Sequence, residues 1–288
     1  MTFRRVFFAL LISIAVAVAA SAQKDPKVIK DIEFAKGLGL DLYLPNGETL
    51  DGLIVWIHGG AWRAGSKDKV PVLDLVDLGW PIASVDYRLS GEAKFPAQIH
   101  DIKGAIRFLR SQQSEYGYRS KNVFVIGSSA GGHLVALTGV TNGHDSLEGA
   151  VGGNLKESSN IQGIVSLYGA SNLTTILDQS TPHGLSVRVP ALELFIGGRP
   201  ENVPETARLA SPVFHVDRDD PPLLMIHGDQ DPQMQINQSL ELESAYERVN
   251  GPVEFISLNG AVHGGEAFYD AERIGIMHRF LASVVAER

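Results

Sequence analysis

"VIGSSAGGHL", Val125 to Leu134, sets a β-branched run against a glycine, two serines and two further glycines, just where a helical pattern begins. Within it Gly127-Ser128-Ser129-Ala130-Gly131 fits G-x-S-x-G, with Ser129 at the centre. The glycines permit a tight turn whose serine backbone is strained, so that Oγ projects above a sheet. The helix that follows aims its N-terminal N–H groups at negative charge forming there. Alone the motif is weak, and a plain strand-to-helix turn explains it equally well. Its context is the one the motif requires: a buried strand ends at Ile126 and a helix starts at Ala130. Ser129 is therefore read as a nucleophile and Ser128 as a small residue filling the turn.

Outward from this turn the chain alternates strands with helices. Val28–Lys36 and Leu38–Pro45 read as an N-terminal hairpin. "LIVWIHGG" is a continuous apolar run, the mark of a strand buried on both faces. A helical segment around Val70–Leu78 precedes the strand "PIASVDYRL". Ile99, Ile102, Ile106 and Leu109 fall at helical spacing between Pro96 and Tyr116. "NVFVIG", "IQGIVSLYG", "PPLLMIHG" and "PVEFISL" read as strands; "QINQSLELESAYERV" and Glu266–Ala286 read as helices. Such alternation implies a mostly parallel sheet covered on both faces, in the α/β class. Residues 170–216 break the pattern with prolines and short apolar patches, and read as a pocket-lining insertion of turns and short helices in a single domain spanning 23–288.

A serine hydroxyl is a poor nucleophile without a base, and the base needs a carboxylate to orient it. On a sheet of this kind the chain order is serine, acid, histidine. Seven histidines follow Ser129, but only His263 and His278 also follow the carboxylates of "LLMIHGDQDP". His263 lies in the glycine-bounded loop "NGAVHGG", whereas His278 lies in a helical pattern and reads as a packing residue. His263 is the expected general base. Asp231, farther out in its loop and followed by Pro232, is the expected acid; Asp229 reads as a turn residue bonding local backbone. "WIHGGAW" ends the third strand with a glycine pair, where backbone N–H groups form an oxyanion hole: Gly60 and Ala61, joined by Ala130.

Neighbouring residues carry weaker expectations. His58 is read as shaping its loop and Trp62 as a wall of the substrate pocket, with ordinary packing an equal alternative. Asp86 and Arg88 read as a structural charge pair, His100 and Asp101 as helix capping or packing. His133 stands too close to Ser129 on its helix to be the base.

These motifs, "HGGAW", "DYRLS", "FPAQIHDIKGAIRFLR", "GSSAGGHL", "HGDQDP" and "VHGG", resemble the bifunctional feruloyl and acetyl xylan esterases, α/β-hydrolases close to the hormone-sensitive-lipase-like esterases. The resemblance covers nearly all of the chain after residue 22. It implies an α/β-hydrolase fold and cofactor-free hydrolysis of carboxylic esters, with Ser129, Asp231 and His263 as triad and Gly60, Ala61 and Ala130 at the oxyanion positions. The substrates it implies are small esters or esterified polysaccharide, with acetyl or feruloyl groups. Ala61 stands where the lipase-like relatives carry a third glycine.

Composition narrows the alternatives. The 288 residues are 44% hydrophobic and 20% charged, an ordinary globular balance. The net charge of -8 argues against nucleic acid as a partner. With no cysteine there is no thiol nucleophile, disulfide or thiolate metal site, and no zincin-type spacing suggests a metal. Arg4 and Arg5, the apolar run Val6–Ala20 and Ala20-Ser21-Ala22 read as a cleaved secretory signal over residues 1–22, implying export to the periplasm or beyond without a stable membrane anchor. An amidase or formamidase on the same scaffold, and a secreted non-catalytic binding protein, remain alternative readings.

Overall fold

The computed structural model describes residues 26–287. The expected export signal lies outside the described residues. Strands β1 (Lys27–Ala35), β2 (Leu38–Leu44), β3 (Leu53–Ile57), β4 (Ile82–Val85), β5 (Val123–Ser128), β6 (Gly163–Leu167), β7 (Leu223–Gly228) and β8 (Val253–Leu258) form one sheet in the order β1-β2-β4-β3-β5-β6-β7-β8. The first two strands form the expected antiparallel hairpin, and β2 joins β4 antiparallel. From β4 to β8 every pairing is parallel.

The helices are α1 (Asp74–Asp77), α2 (Ala97–Tyr116), α3 (Ala130–Gly139), α4 (Asp145–Glu148), α5 (Ile176–Gln179), α6 (Pro182–Phe195), α7 (Pro204–Leu209), α8 (Asn237–Arg248) and α9 (Ala271–Ala286). Alternation along each buried strand sends side chains to two apolar layers. Val123 and Val125 of β5 join Ile99, Ile102 and Ile106 of α2, Leu134 of α3 and Leu242 of α8. Phe124 and Ile126 join Leu75 of α1 and Ile274, Met277 and Leu281 of α9 on the other face. Leu53–Ile57 and Val123–Ser128 are buried throughout, as strands covered on both sides must be.

Three expectations are corrected. The helix over Val70–Leu78 shrinks to the single turn α1, because the chain around it runs in turns. The strand "PIASVDYRL" ends at Val85, since the next residues turn away from the sheet. Asp86 and Arg88 do not pair: Asp86 Oδ1 accepts the Lys67 N–H at 2.8 Å. Arg88 instead grips Asp101 at the start of α2, Nη2 to Oδ1 at 2.7 Å and Nε to Oδ2 at 2.9 Å. The guanidinium fork matches the buried Asp101 carboxylate, while Asp86 is already engaged by the Lys67 N–H.

The insertion is ordered by partners distant in sequence. Gln238 of α8 accepts the N–H groups of Ser171 and Asn172, both at 2.9 Å. Thr181 caps α6 by accepting the Gly184 N–H at 3.0 Å, and its hydroxyl also donates to Pro232 O at 2.8 Å. The latter bond fastens α6 to the loop after β7.

Candidate active site

Every residue of the expected constellation follows the C-terminal end of a parallel strand, where open α/β sheets gather their ligands. Ser129 follows β5, Gly60 and Ala61 follow β3, Asp231 follows β7 and His263 follows β8. The serine turn is strained in the expected sense: Ser129 sits at φ 54°, ψ −117°, a region hostile to side chains. Its N–H donates to Leu167 O at 2.9 Å, tying the turn to the neighbouring strand. A Cβ on Gly131 would fall 2.1 Å from Ile57 O, so only glycine lets α3 start this close to β3.

Ser129 Oγ and His263 Nε2 are 2.8 Å apart, and His263 Nδ1 and Asp231 Oδ2 are 2.6 Å apart. Asp231 Oδ1 accepts the N–H groups of Gln233 and Met234 at 2.8 Å each. Burial alone would raise the Asp231 carboxyl. Hydrogen bonds from His227 and His263, the His263 charge and the Met234 N–H outweigh it and hold the group well below the usual carboxylate range. Asp229 accepts the Gly260 N–H at 2.7 Å, a backbone bond made across to the loop after β8 rather than within its own turn.

The Ser129 turn opens on a cavity of about 310 Å³ lined by Gly60, Ala61, Tyr168, Arg188, Gln233 and His263, among others. Among the described residues, the N–H groups of Gly60, Ala61 and Ala130 donate to no protein acceptor. Ala61 adopts φ 51°, another strained non-glycine position beside Ser129. Free donors around a nucleophile can receive an oxyanion as it forms. A second, larger cleft of about 680 Å³, walled by Trp56, His58, Val70 and Pro71, meets the first at Gly59, Gly60 and Ser128. Ser128 thus does more than fill the turn, since it borders both spaces.

Trp62 is a correction. Its side chain is fully buried, stacked on Phe195 at 4.6 Å, with Nε1 donating to His133 Nδ1 at 3.1 Å. It packs the insertion against α3 and forms no wall of either cavity. His133 is held neutral: burial pushes it down to about 4, and Nε2 donates to Ala210 O at 2.7 Å. His58 shapes its loop, stacked on Tyr87 at 4.3 Å with Nδ1 2.7 Å from Gly59 O. His278 accepts from Trp80 Nε1 at 3.0 Å and His100 packs near Ser146 O at 3.3 Å.

Sequence reading missed Tyr168 and Arg188. Tyr168 stands directly after β6 with its ring 4.9 Å from that of His263, edge to face. Its position at a strand's C-terminal end was a usable signal. Arg188 reaches the cavity from α6, inside the irregular segment, where no periodicity pointed to it.

A largely parallel sheet with a strained serine turn after its inner strand β5 defines an α/β-hydrolase fold. Within that class the chain belongs to the BD-FAE family, whose model matches residues 40–246. A truncated form of carbohydrate esterase from gut microbiota superimposes with a TM-score of 0.81 at 30% identity, covering 92% of this chain and 98% of that one. A bifunctional GH43-CE protein from Bacteroides eggerthii gives 0.80 at 34% identity, over 89% of this chain and 38% of that one. Esterase LipC of Mycobacterium tuberculosis is 33% identical over 230 residues, 77% of this chain and 55% of its own length. A probable carboxylic ester hydrolase, LipM, of the same organism is 28% identical over 88% of this chain and 60% of its own. The chain thus spans little more than half the length of these curated relatives.

Proposed function

We propose that the protein is a serine carboxylic-ester hydrolase that works through an acyl-enzyme on short-acyl or aryl esters, such as acetyl or feruloyl groups of xylan. The observation that carries this reading is the chain Ser129 Oγ–His263 Nε2–Asp231 at 2.8 and 2.6 Å, facing unpaired backbone donors. His263 takes the Ser129 proton as Oγ attacks the ester carbonyl. The carbonyl oxygen becomes an oxyanion held by the N–H groups of Gly60 or Ala61 and Ala130. His263 then gives its proton to the leaving alcohol, and water releases the acid by the same roles in reverse. Asp231 holds the imidazole with its proton on Nδ1.

The two cavities suit a bipartite substrate. The small one at Ser129 takes a short acyl group, and the larger cleft offers an apolar wall to the remainder. Relatives named as carbohydrate esterase and esterase support the reaction class. We further propose that residues 1–22 direct export, which fits a polymer met outside the cytoplasm.

The test is hydrolysis of 4-nitrophenyl esters from acetyl to long acyl chains, with acetylated xylan and methyl ferulate alongside and Ser129→Ala as control. Short-chain turnover that vanishes in the alanine variant supports the reading. Turnover of anilides with inertness toward every ester would transfer the same residues to amide hydrolysis.

A further inference from the structure

Arg188 is the one feature of the cavity that ester hydrolysis does not explain. It is 1% exposed, yet it lines the space that holds Ser129 and His263. Its Nε donates to Gln233 O at 3.2 Å, while Nη1 is buried with no acceptor. Among the described residues it enters no ion pair. The nearby carboxylate, Asp231, is already engaged on both oxygens, by His263 on one side and by Gln233 and Met234 on the other. Burial and the like charge of Arg63 lower the guanidinium to about 10, against the pull of Asp231, so it stays charged at neutral pH.

A buried charge without a hydrogen-bonded counter-charge is costly, and an arginine kept in that state is matched to a partner from outside the chain. The guanidinium fork presents parallel donors to a carboxylate better than to any neutral oxygen. We propose that Arg188 anchors a carboxylate-binding subsite inside the catalytic cavity, which selects esters carrying a free carboxylate a few atoms from the scissile bond. The carboxylate can sit on the acyl side, as in the half-ester of a dicarboxylic acid, or on the alcohol side, as in an acetylated uronic acid. With about 310 Å³ in the cavity, either group is limited to a few atoms' reach. This inference rests on the esterase reading above and narrows its substrate.

The experiment compares matched pairs. The acyl arm sets mono-4-nitrophenyl succinate against 4-nitrophenyl butyrate, and the alcohol arm sets acetylated methyl glucuronide against acetylated methyl xyloside. The quantity read is the ratio of kcat/KM, charged over neutral, in wild type, Arg188→Lys and Arg188→Gln. One arm should favour the charged substrate by at least about tenfold in wild type, the scale of a charge-assisted hydrogen bond. That ratio should collapse in Arg188→Gln and partly survive in Arg188→Lys. A wild-type ratio at or below one in both arms overturns the proposal, as does a ratio unchanged in the glutamine variant. Should the variants not fold, the wild-type ratios decide. Should wild type hydrolyse no ester, the esterase reading fails separately, and calorimetric titration with succinate against succinamate decides whether the subsite exists.

Discussion

Asp231 Oδ2 lies 2.6 Å from His263 Nδ1, in a carboxylate whose other oxygen is pinned by two backbone N–H groups. That arrangement leaves the His263 Nε2 lone pair directed at Ser129. An amide at position 231 presents an N–H where the imidazole needs an acceptor, which selects the other tautomer. Asp231→Asn should therefore lower kcat on 4-nitrophenyl acetate by roughly 10³–10⁴-fold while the far-ultraviolet circular dichroism stays unchanged. A loss below tenfold would mean Asp231 is not the orienting acid.

The depressed Asp231 carboxyl also shapes the acid limb of activity. A group whose pKa falls on folding is ionised above its ordinary range and loses its charge only below it. Asp231 thus stays anionic through the range in which an ordinary carboxylate titrates, and adds no protonation step of its own to the acid limb. The logarithm of kcat/KM should fall toward acid pH with a slope no steeper than one down to pH 4. A slope of two would show that a second group of the site protonates in that window.

How much of this was legible in the chain depends on where each signal resides. The Ser129 turn, the Asp231 loop and the His263 loop announce themselves through glycines and strand ends, which are local. The parallel core was equally plain, because strands buried on both faces are apolar throughout, as at Leu53–Ile57. The insertion was not, because Ser171 and Asn172 are ordered by Gln238, more than sixty residues away. Trp62 misled for a related reason: the Phe195 ring that covers it comes from that same insertion. Asp86 and Arg88 look like a pair in sequence, but the chain leaves the sheet after Val85 and each found a better partner.

Gly65 holds in shape the loop that carries Gly60 and Ala61, the proposed oxyanion donors. It sits at φ +100°, and a Cβ there would lie 2.4 Å from His58 Nδ1 and 2.6 Å from Gly59 O. Gly65→Ala should displace the backbone that presents Gly60 and Ala61. The expected cost is roughly 10²-fold in kcat, the order found for losing one oxyanion donor, with a smaller change in KM. Wild-type kcat in a folded Gly65→Ala protein would remove this loop from the reaction.

His227 supports the Asp231 loop from beneath. Its Nε2 donates to Met234 O at 2.8 Å and lies 3.4 Å from Asp231 Oδ2, while Nδ1 accepts from the Ser239 hydroxyl at 2.8 Å. His227→Phe keeps the ring volume and orphans both partners. Denaturant titration should show a loss of about 1–3 kcal/mol, the cost of buried groups left unpaired. Because the Asp231 carboxylate also loses a donor, its pKa should rise and the acid limb of activity should steepen. An unaltered limb in a destabilised protein would make His227 purely structural.

Asp220 couples stability to pH away from the site. Burial, joined by the charges of Asp217 and Asp219, raises its carboxyl to about 7, although the Asp217 N–H at 2.8 Å opposes the shift. An unfolded aspartate titrates near ~4, so between that value and 7 the folded chain holds a proton that the unfolded chain has lost. The stabilisation is therefore complete at acid pH and disappears as the pH rises through 7. Asp220→Asn keeps a carbonyl to accept the Asp217 N–H and removes the ionisation. Its melting temperature relative to wild type should improve from pH 5 to pH 8. A difference that stays constant across that range would show that Asp220 ionises as freely in the folded chain as in the unfolded one.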